Sequence, residues 1–365
     1  MSFSAVDHAA MARALQLAAR GLTTTSPNPR VGCVIVRDGA TVGEGWHARA
    51  GEPHAEIHAL RAAGSAAHGA TAYVTLEPCS HFGRTPPCAD ALIEAGVARV
   101  VSAMEDPNPL VAGRGIARLR AAGIATAYGL LADEARELNI GFVSRMTRGR
   151  PWVRLKVAGT LDGKSALDNG VSQWITGAAA RRDGHRWRAR ACAILTGIGT
   201  VREDDPQLSV RDVPCARQPL RILVDARLEV SLQARILQGE PILIATVSTD
   251  EARIETLRAA GHELVFAPSA ADKVDLGALL CMLGERGINE VHVEAGFKLN
   301  GSLLREGCVD ELLIYLAPML VGDAAQGLFN LPALTRLEGA TRLDIRDLRR
   351  IGPDLRLLAR PLAPA

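Results

Sequence analysis

Short apolar segments alternate with helical segments that end in glycine along most of the chain, and this alternation limits the possible folds more than any other feature. It predicts βαβ units, a largely parallel sheet and helices that cover the faces of that sheet. The chain is therefore expected to belong to the α/β class. In the first third we predict helices at 5–20, 54–64, 88–96 and 113–123, and strands at 31–37, 70–76, 98–104 and 124–129.

The length of 365 residues exceeds that of one ordinary domain, which holds about 100–200 residues. The basic segment TRGRPWVRLK carries a glycine and a proline between a helix and a new strand, as is typical of a boundary. We therefore predict two domains, 1–146 and 147–365. In the second we predict strands at 153–159, 192–197, 220–225, 241–246, 290–296 and 311–317, helices at 178–190, 251–260, 275–286 and 298–306, and a final pair of strands that turn at Gly352 and Pro353.

Charge and cysteine content narrow the class of protein. A net charge of +2 is too small to indicate a nucleic-acid partner. No apolar run reaches the roughly 18 residues of a membrane helix, and the N-terminus lacks the pattern of a signal peptide. Seven cysteines, an odd number, favour reduced thiols or metal ligands over a disulfide framework. We expect a cytoplasmic protein that binds neither nucleic acid nor membrane.

A candidate metal site is the clearest chemical signal in the first domain. His54 and Glu56 stand in the motif His-Ala-Glu, and Cys79 and Cys88 follow beside predicted strand and helix ends. One imidazole and two thiolates suit Zn²⁺, and three protein ligands leave the fourth tetrahedral position for water, as in catalytic zinc sites. Both cysteines are predicted near helix starts, where backbone N–H groups favour the thiolate.

The spacing of His54 and Glu56 predicts where their helix begins. Two residues in mid-helix point about 200° apart, so both side chains can face one metal only at the start of a helix. Pro53, just before the pair, fits such a start. Glu56 would then carry protons between the attacking water and the leaving group.

Two features of the motif leave alternatives open. His58 lies four residues after His54 and could compete as a ligand, although the zincin pattern needs Glu directly after the first His. Zinc deaminases of nucleobases carry H-x-E followed by P-C-x-x-C, whereas eight residues separate the two cysteines here.

The second domain lacks G-x-G-x-x-G followed by an acidic residue, so a Rossmann dinucleotide site is not supported. The segment EAGFKLNGSLL, at 294–304, follows a predicted strand and opens a helix, and such a glycine turn can hold a phosphate. An ordinary strand-to-helix turn would give the same pattern.

A family resemblance rests on four segments of the first domain: TSPNPRVGCVIV, GWHARAGEPHAE, TLEPCSHFGRTPPCADALIEAG and MEDPNPLVAGRGIARLRAAGI. They closely resemble the deaminase half of bifunctional riboflavin-biosynthesis proteins of the RibD/RibG type, in which the long spacer between the cysteines is usual. LKVAGTLDGK, SQWITG, ARRDGHRWRARACAILTGIGTVREDDPQLSVR and VHVEAG look like the reductase half. The resemblance implies a cytidine-deaminase-like α/β/α domain followed by a dihydrofolate-reductase-like α/β domain.

The resemblance also implies roles for individual residues. Zinc would be held by His54, Cys79 and Cys88, with Glu56 catalytic. Contacts to the deaminase substrate would come from Asn28, His47, His81 and Arg84. NADPH would be contacted by Ala158, Trp174, Thr200, Asp204, Ala226, Gly296, Phe297, Lys298, Leu299, Asn300, Gly301 and Ser302. The reductase substrate would meet Lys156, Ser172, Arg188, Leu208, Arg211 and Glu294. Ala226 stands where the family often has Ser, which puts a hydroxyl contact there in question.

Two successive reactions are implied. The first hydrolyses the 2-amino group of 2,5-diamino-6-(ribosylamino)pyrimidin-4-one 5'-phosphate at a zinc-activated water. The second reduces the ribosyl group to ribityl with hydride from NADPH, with Lys156 and Glu294 as candidates for polar assistance. Arg188 and Arg211 suit the phosphate of this substrate, because a guanidinium donates two parallel hydrogen bonds. The resemblance also implies a homo-oligomer, a dimer or a tetramer.

Three rival hypotheses remain at the level of sequence. A nucleic-acid deaminase would share the zinc site but should carry a basic, aromatic-rich surface, and aromatic residues are only 4% of this chain. A structural zinc module would need a fourth protein ligand, for which His81 is the nearby candidate. The third hypothesis is that one half has lost its activity. The motif positions are filled in both halves, which argues against it.

Overall fold

We describe a computed structural model of the chain at residues 3–80, 87–109 and 111–362. The chain divides into two compact units, residues 1–149 and 150–365, and each is described by itself. In the described ranges, no helix combines the length and apolar character needed to cross a bilayer.

The first unit is a three-layer α/β/α arrangement around a five-stranded sheet. Its helices are α1 Ala5–Ala18, α2 Ala55–Ala63, α3 Cys88–Glu94, α4 Arg114–Ala121, α5 Ala132–Leu138 and α6 Ile140–Arg148. Its strands are β1 Gly32–Arg37, β2 Ala40–Trp46, β3 Thr71–Val74, β4 Arg99–Ser102 and β5 Ala125–Tyr128, in the order β2-β1-β3-β4-β5. Successive residues of β1 point to opposite faces, so Val34 packs with α1 and α6 while Cys33 and Ile35 pack with α2 and α3. Helices therefore cover both faces, as predicted.

The sheet of the first unit is mixed, because β1 runs antiparallel to both of its neighbours and only β3, β4 and β5 are parallel. Strand β2 was missed in the sequence because its glycines weaken the strand pattern. Asp38 and Gly39, both with positive φ, form the two-residue turn between β1 and β2, and Asp-Gly is a strong hairpin signal.

Glycines in β2 let helix α2 approach the sheet closely. A Cβ atom on Gly43 would lie 2.3 Å from the Ala59 carbonyl oxygen, and one on Gly45 would lie 2.3 Å from that of Ala55. Only glycine can occupy these positions at such a distance. The close packing fixes the start of α2, which carries the candidate metal ligand His54.

The second unit is built on a nine-stranded sheet. Its helices are α7 Ala178–Arg190, α8 Ile198–Asp204, α9 Glu251–Ala259, α10 Leu276–Glu285 and α11 Phe297–Arg305. Its strands are β6 Trp152–Thr160, β7 Lys164–Ala166, β8 Ala193–Gly197, β9 Leu220–Val224, β10 Leu243–Thr246, β11 Glu263–Phe266, β12 Glu290–Val293, β13 Glu311–Ala317, β14 Gln326–Gly327, β15 Leu343–Ile351 and β16 Asp354–Pro361. The large sheet has the order β11-β10-β9-β8-β12-β6-β13-β16-β15, and β7 pairs with β14 separately.

The first seven strands in this order, from β11 at the edge to β13, are parallel to one another. Strands β16 and β15 complete the sheet as an antiparallel edge. The antiparallel pair with a turn at Gly352 and Pro353 confirms the prediction for the tail. The short elements α8 and β11 were not predicted. Strands β8 and β12 are neighbours, and α8 and α11 begin at their carboxyl ends, which is where parallel sheets usually bind ligands.

A buried ion network lies on the face of this sheet near α7. Arg154 of β6 is 2% exposed and pairs with Glu311 of β13 at 2.6 Å and with Glu290 of β12 at 3.1 Å. The Arg154 guanidinium carbon also lies 4.4 Å from the ring centre of Trp187 in α7. Because buried charges are tolerated only when they are paired, this network ties three strands and one helix together.

Candidate active sites of the two units

The start of helix α2 brings His54 and Glu56 to the same side. His54 is the N-cap residue with extended backbone angles, and Glu56 lies in the first turn, 3% exposed. Because the N-cap lies outside the helical geometry, the two side chains escape the 200° separation of mid-helix. The prediction that this pair stands at a helix start is confirmed.

Three side chains form a group with the dimensions of a zinc site. His54 Nδ1 lies 3.3 Å from Cys88 Sγ and 3.6 Å from Cys79 Sγ, and all three ligand atoms lie within 4.8 Å of one another. Zinc bonds of about 2.3 Å to sulfur and about 2.05 Å to nitrogen, at tetrahedral angles, would place nitrogen and sulfur about 3.6 Å apart. The side chains are therefore arranged as zinc requires.

The two cysteines reach the site differently. Cys88 begins α3, and Cys79, in the loop after β3, contacts the start of the same helix. Cys79 Sγ accepts the backbone N–H of Cys88 at 3.3 Å, so the prediction that both cysteines lie at or near a helix start is confirmed. Hydrogen bonding from Cys88, with help from His54, lowers the pKa of Cys79 to about 4. Hydrogen bonding with Cys79, together with burial, raises the pKa of Cys88, and a bound cation would favour the thiolate form of both sulfurs.

Glu56 has the burial expected of a proton carrier. Burial, and then the charge of Cys79, raise the pKa of Glu56 to about 7. Its Oε2 atom is buried without a hydrogen-bond partner among the described residues. A carboxyl group of this kind can exchange a proton near neutral pH.

Asn28 and His47 lie beside the metal-ligand group. His47 Nε2 is 3.2 Å from Asn28 Nδ2, and its Nδ1 is 3.2 Å from the Pro53 carbonyl oxygen. The His47 ring meets the His54 ring edge-on at 5.3 Å between centres. Burial lowers the pKa of His47, and a neutral ring that donates from Nδ1 and accepts at Nε2 satisfies both contacts. Asn28 then donates through Nδ2, and its carbonyl oxygen can act as a hydrogen-bond acceptor.

Three other residues were suggested for this unit. His58 is not part of the metal-ligand group found in the described chain. His81 and Arg84 lie outside the described residues.

Glu77 is a buried residue for which the sequence analysis predicted no role. It is 3% exposed, and its carboxylate accepts backbone N–H groups from Asp106 at 3.2 Å, Gly113 at 2.9 Å, Gly115 at 2.9 Å and Ile116 at 3.1 Å. Glu77 therefore fixes the approach to α4 directly beside the segment that carries Cys79. A carboxylate between a strand and a Pro-Cys pair was the only signal, and it is a weak one.

A charged group occupies the carboxyl end of β12 in the second unit. Arg188 of α7 forms a bidentate pair with Glu294, with Nη2 at 2.9 Å from Oε2 and Nε in contact with Oε1. Lys156 of β6 lies 3.5 Å from Glu294 Oε2. Although burial alone would raise it, the charges of Arg188 and Lys156 hold the pKa of Glu294 well below its usual range. Three of the predicted substrate residues thus meet at one place.

The loop after α8 adds Leu208 and Arg211. Leu208 is buried, whereas the Arg211 side chain is exposed and its Nη1 lies 3.3 Å from both Gln207 Oε1 and Ser209 Oγ. Arg188 Nη1 also donates to the Ser209 carbonyl oxygen at 3.0 Å. The loop that carries Arg211 is therefore tied to the Arg188–Glu294 pair.

The predicted cofactor stretch forms the start of α11. Gly296 is its N-cap, and a Cβ atom there would lie 3.4 Å from Thr200 Oγ1 in α8. Thr200 Oγ1 is buried without a hydrogen-bond partner among the described residues. Farther along α11, Asn300 Nδ2 donates to the Leu328 carbonyl oxygen at 3.3 Å, and a Cβ on Gly301 would lie 2.1 Å from the Asn330 carbonyl oxygen. Asn300 and Gly301 thus pack against residues 328–330.

The remaining predicted residues lie around these two groups. Trp174 is 70% exposed, and the Arg181 guanidinium carbon lies 4.5 Å from the centre of its ring. Asp204, at the end of α8, accepts Gln173 Nε2 at 3.2 Å. The other seven are Ala158 in β6, Ser172 in the loop before α7, Ala226 after β9, and Phe297, Lys298, Leu299 and Ser302 in α11.

Three further residues around these groups were missed in the sequence. His292 of β12 is fully buried with Nε2 at 3.3 Å from Glu294 Oε1. His185 of α7 and Gln218 hold the backbone of the loop that carries Arg211. His185 lies 26 positions from Arg211, so no local pattern could have revealed that contact, whereas His292 lies only two positions from Glu294.

Comparison with known protein families gives two matches. Residues 151–357 match the family described as the RibD C-terminal domain, and residues 4–104 match the cytidine and deoxycytidylate deaminase zinc-binding region. The first match covers more than half of the chain.

Curated relatives and solved structures cover nearly the whole chain. The riboflavin biosynthesis protein RibD of Escherichia coli is 51% identical, with 96% of this chain and 98% of the relative aligned. A RibD structure from Acinetobacter baumannii has a TM-score of 0.91 at 43% identity, covering 98% of this chain and 99% of that one. A diaminohydroxyphosphoribosylaminopyrimidine deaminase/5-amino-6-(5-phosphoribosylamino)uracil reductase from Thermotoga maritima has a TM-score of 0.86 at 33% identity, covering 98% and 99%.

Proposed function

The chain belongs to the RibD family of riboflavin biosynthesis proteins, and on that premise we propose which residues carry its two reactions. It is a zinc-dependent deaminase and an NADPH-dependent reductase that act in succession on one phosphorylated pyrimidine. We propose domain limits of 1–146 for the deaminase and 147–365 for the reductase. The observation that carries the proposal is the group of His54, Cys79 and Cys88, spaced for zinc beside the buried Glu56.

In the deaminase, we assign metal binding to three of these side chains and proton transfer to the fourth. His54, Cys79 and Cys88 would hold zinc, which when bound supplies a water acidic enough to attack at neutral pH. Glu56 takes the proton from the attacking water and returns it to the leaving amine, for which its raised pKa suits it. Ammonia then leaves and a carbonyl replaces the amino group of the ring.

Orientation of the pyrimidine falls to Asn28 and His47. Because His47 Nε2 is engaged by the Asn28 amide, the Asn28 carbonyl is held ready to accept a ring N–H or amino group. Rigid placement of such a contact lowers the entropic cost of bringing the ring to the nucleophile. His81 and Arg84 are proposed substrate contacts from the resemblance alone.

In the reductase, the charged group at the end of β12 would receive the sugar phosphate. The exposed guanidinium of Arg211 would bind the phosphate, and Lys156 and Glu294, which pair with each other, would polarise the ribosyl carbon and its oxygen. NADPH supplies the hydride. The start of α11, with Gly296 and the unpartnered Thr200 hydroxyl, fits a phosphate of that cofactor because helix N-termini present free N–H groups.

We further propose that the enzyme is a homo-oligomer in the cytoplasm, as the resemblance implies. Light scattering during size-exclusion chromatography would test the oligomeric state. A mass equal to one chain at micromolar concentration would refute it.

The test of the function uses purified protein and the diaminopyrimidine phosphate, with and without NADPH. We expect ammonia release without NADPH, then NADPH oxidation that depends on the deaminated product. Glu56→Gln should stop ammonia release and leave NADPH oxidation with preformed deaminated substrate intact. Failure of wild-type protein to release ammonia, or a zinc spectrum with four protein ligands, would refute the deaminase assignment.

A further inference from the structure

The loop that carries Arg211 is held at three consecutive residues by side chains from elsewhere in the second unit. Arg188 Nη1 donates to the Ser209 carbonyl oxygen at 3.0 Å. The Gln218 amide accepts the Val210 N–H at 2.8 Å and donates to the Val210 carbonyl oxygen at 3.2 Å. The Arg211 N–H donates to His185 Nδ1 at 3.0 Å. We call His185 and Gln218 the loop clamp.

The loop needs such support because its own backbone is unfavourable. Leu208 has a φ of 52°, in the left-handed region that a bulky residue such as leucine rarely adopts, and Asp212, a residue type that tolerates this region better, has a φ of 62°. Conformations of this kind persist only where the surroundings hold them. The loop lies between these two residues, so outside contacts determine its shape.

His185 suits this task because its imidazole is buried and neutral. The charged groups that act on its side chain are Arg188 on its own helix, Glu294 just after β12, and Arg211 and Asp212 of the loop, with Nε2 at 3.8 Å from Asp212 Oδ2. Burial, with the charge of Arg188, lowers the pKa of His185 to about 4. Nδ1 therefore remains an acceptor for the Arg211 N–H throughout the neutral pH range.

The side chain of Arg211 behaves in the opposite way. Its guanidinium is exposed and, within the described part of the chain, hydrogen-bonds to neutral groups of its own loop, Gln207 and Ser209, while its backbone is fixed. A fixed backbone with an exposed cation is the arrangement that binds an anion at a small entropic cost.

We infer that His185 and Gln218 are positioning residues, which hold the Arg211 backbone so that its guanidinium meets the phosphate of the reductase substrate. This inference rests on the proposed function, since it takes Arg211 as a phosphate contact. Neither residue touches the reacting atoms, so their loss affects substrate binding more than the chemical step.

The test compares His185→Leu with His185→Asn. Both remove the imidazole, but only Asn keeps an acceptor at the place of Nδ1, so it is the matched control. With 5-amino-6-(5-phosphoribosylamino)uracil and NADPH, His185→Leu should raise KM about tenfold with kcat within about twofold, because a lost buried hydrogen bond costs about 1–2 kcal/mol. His185→Asn should restore most of the affinity. NADPH affinity and ammonia release should match wild type, which also reports folding of both units.

Two further measurements separate positioning from a general structural role. The KM effect of His185→Leu should vanish with the dephosphorylated substrate, and it should vanish in an Arg211→Ala background, because the clamp acts only through that guanidinium. Gln218→Ala gives an independent variant, should His185→Leu fail to fold, and should show the same phosphate-dependent rise in KM.

The inference is overturned if both clamp variants leave KM unchanged, if the rise persists without the phosphate, or if it adds to that of Arg211→Ala. These outcomes differ from failure of the proposed function, in which wild-type protein itself would not oxidise NADPH with this substrate.

Discussion

Replacing Glu77 by Gln tests the idea that one carboxylate holds the backbone at Asp106 and at the start of α4. Oε1 accepts the N–H groups of Gly115 and Ile116, and Oε2 accepts those of Asp106 and Gly113. A glutamine side chain has one oxygen, so one pair of N–H groups would face an NH₂ group that cannot accept.

The magnitude follows from those contacts. Hydrogen bonds to a charged group contribute about 1.5–3 kcal/mol each, so the loss of two costs about 3–6 kcal/mol. A domain is typically stable by only about 5–15 kcal/mol, so this is a large part of the total. Because 1.4 kcal/mol corresponds to about a factor of ten, protection of the affected amides from hydrogen exchange should fall by about 10²–10⁴.

Hydrogen exchange followed by mass spectrometry measures this directly in the full chain. We expect faster exchange at the four amides that contact Glu77, weaker zinc retention and slower ammonia release, with NADPH oxidation unchanged. The exposed Glu94 of α3 is the matched control, and Glu94→Gln should behave as wild type. Wild-type exchange and thermal stability in Glu77→Gln would refute the reasoning.

Three other changes have definite expected outcomes. Glu56→Gln should keep zinc, measured by elemental analysis, yet lower kcat for ammonia release by about 10²–10⁴, and metal loss in the variant would contradict its role as proton carrier. Because the pKa of Glu294 is lowered in the folded state, its ionised carboxylate contributes stability above the unfolded pKa of about 4.5, and this stability is lost as the pH falls from there towards the folded pKa. Glu294→Gln should therefore flatten the fall in Tm between about pH 5 and 3, and an unchanged slope would contradict this. Arg154→Met, which leaves Glu290 and Glu311 short of a partner, should cost about 3–5 kcal/mol in denaturant unfolding, and a neutral effect would show that the pairs contribute little.

Local sequence predicted the parts of the fold that depend on neighbouring residues. The tail hairpin at Gly352 and Pro353 and the start of α2 at His54 both followed from the chemistry of a few adjacent positions. Strand β2 was missed because Gly43 and Gly45 make no strand pattern, and their purpose is the close approach of α2. That approach is a property of packing, which the linear pattern does not contain.

The sequence by itself determined the alternation of strands and helices, the residue types of the zinc group and the need for a helix to begin at His54, because period, capping and ligand chemistry are set by adjacent residues. The tertiary structure alone decided that Arg188 meets Glu294 across 106 positions, that Glu77 holds amides about 30–40 positions away, and that His185 supports Arg211 across 26. The physical reason is that such contacts form only when packing brings distant segments together, and their distances depend on the whole unit.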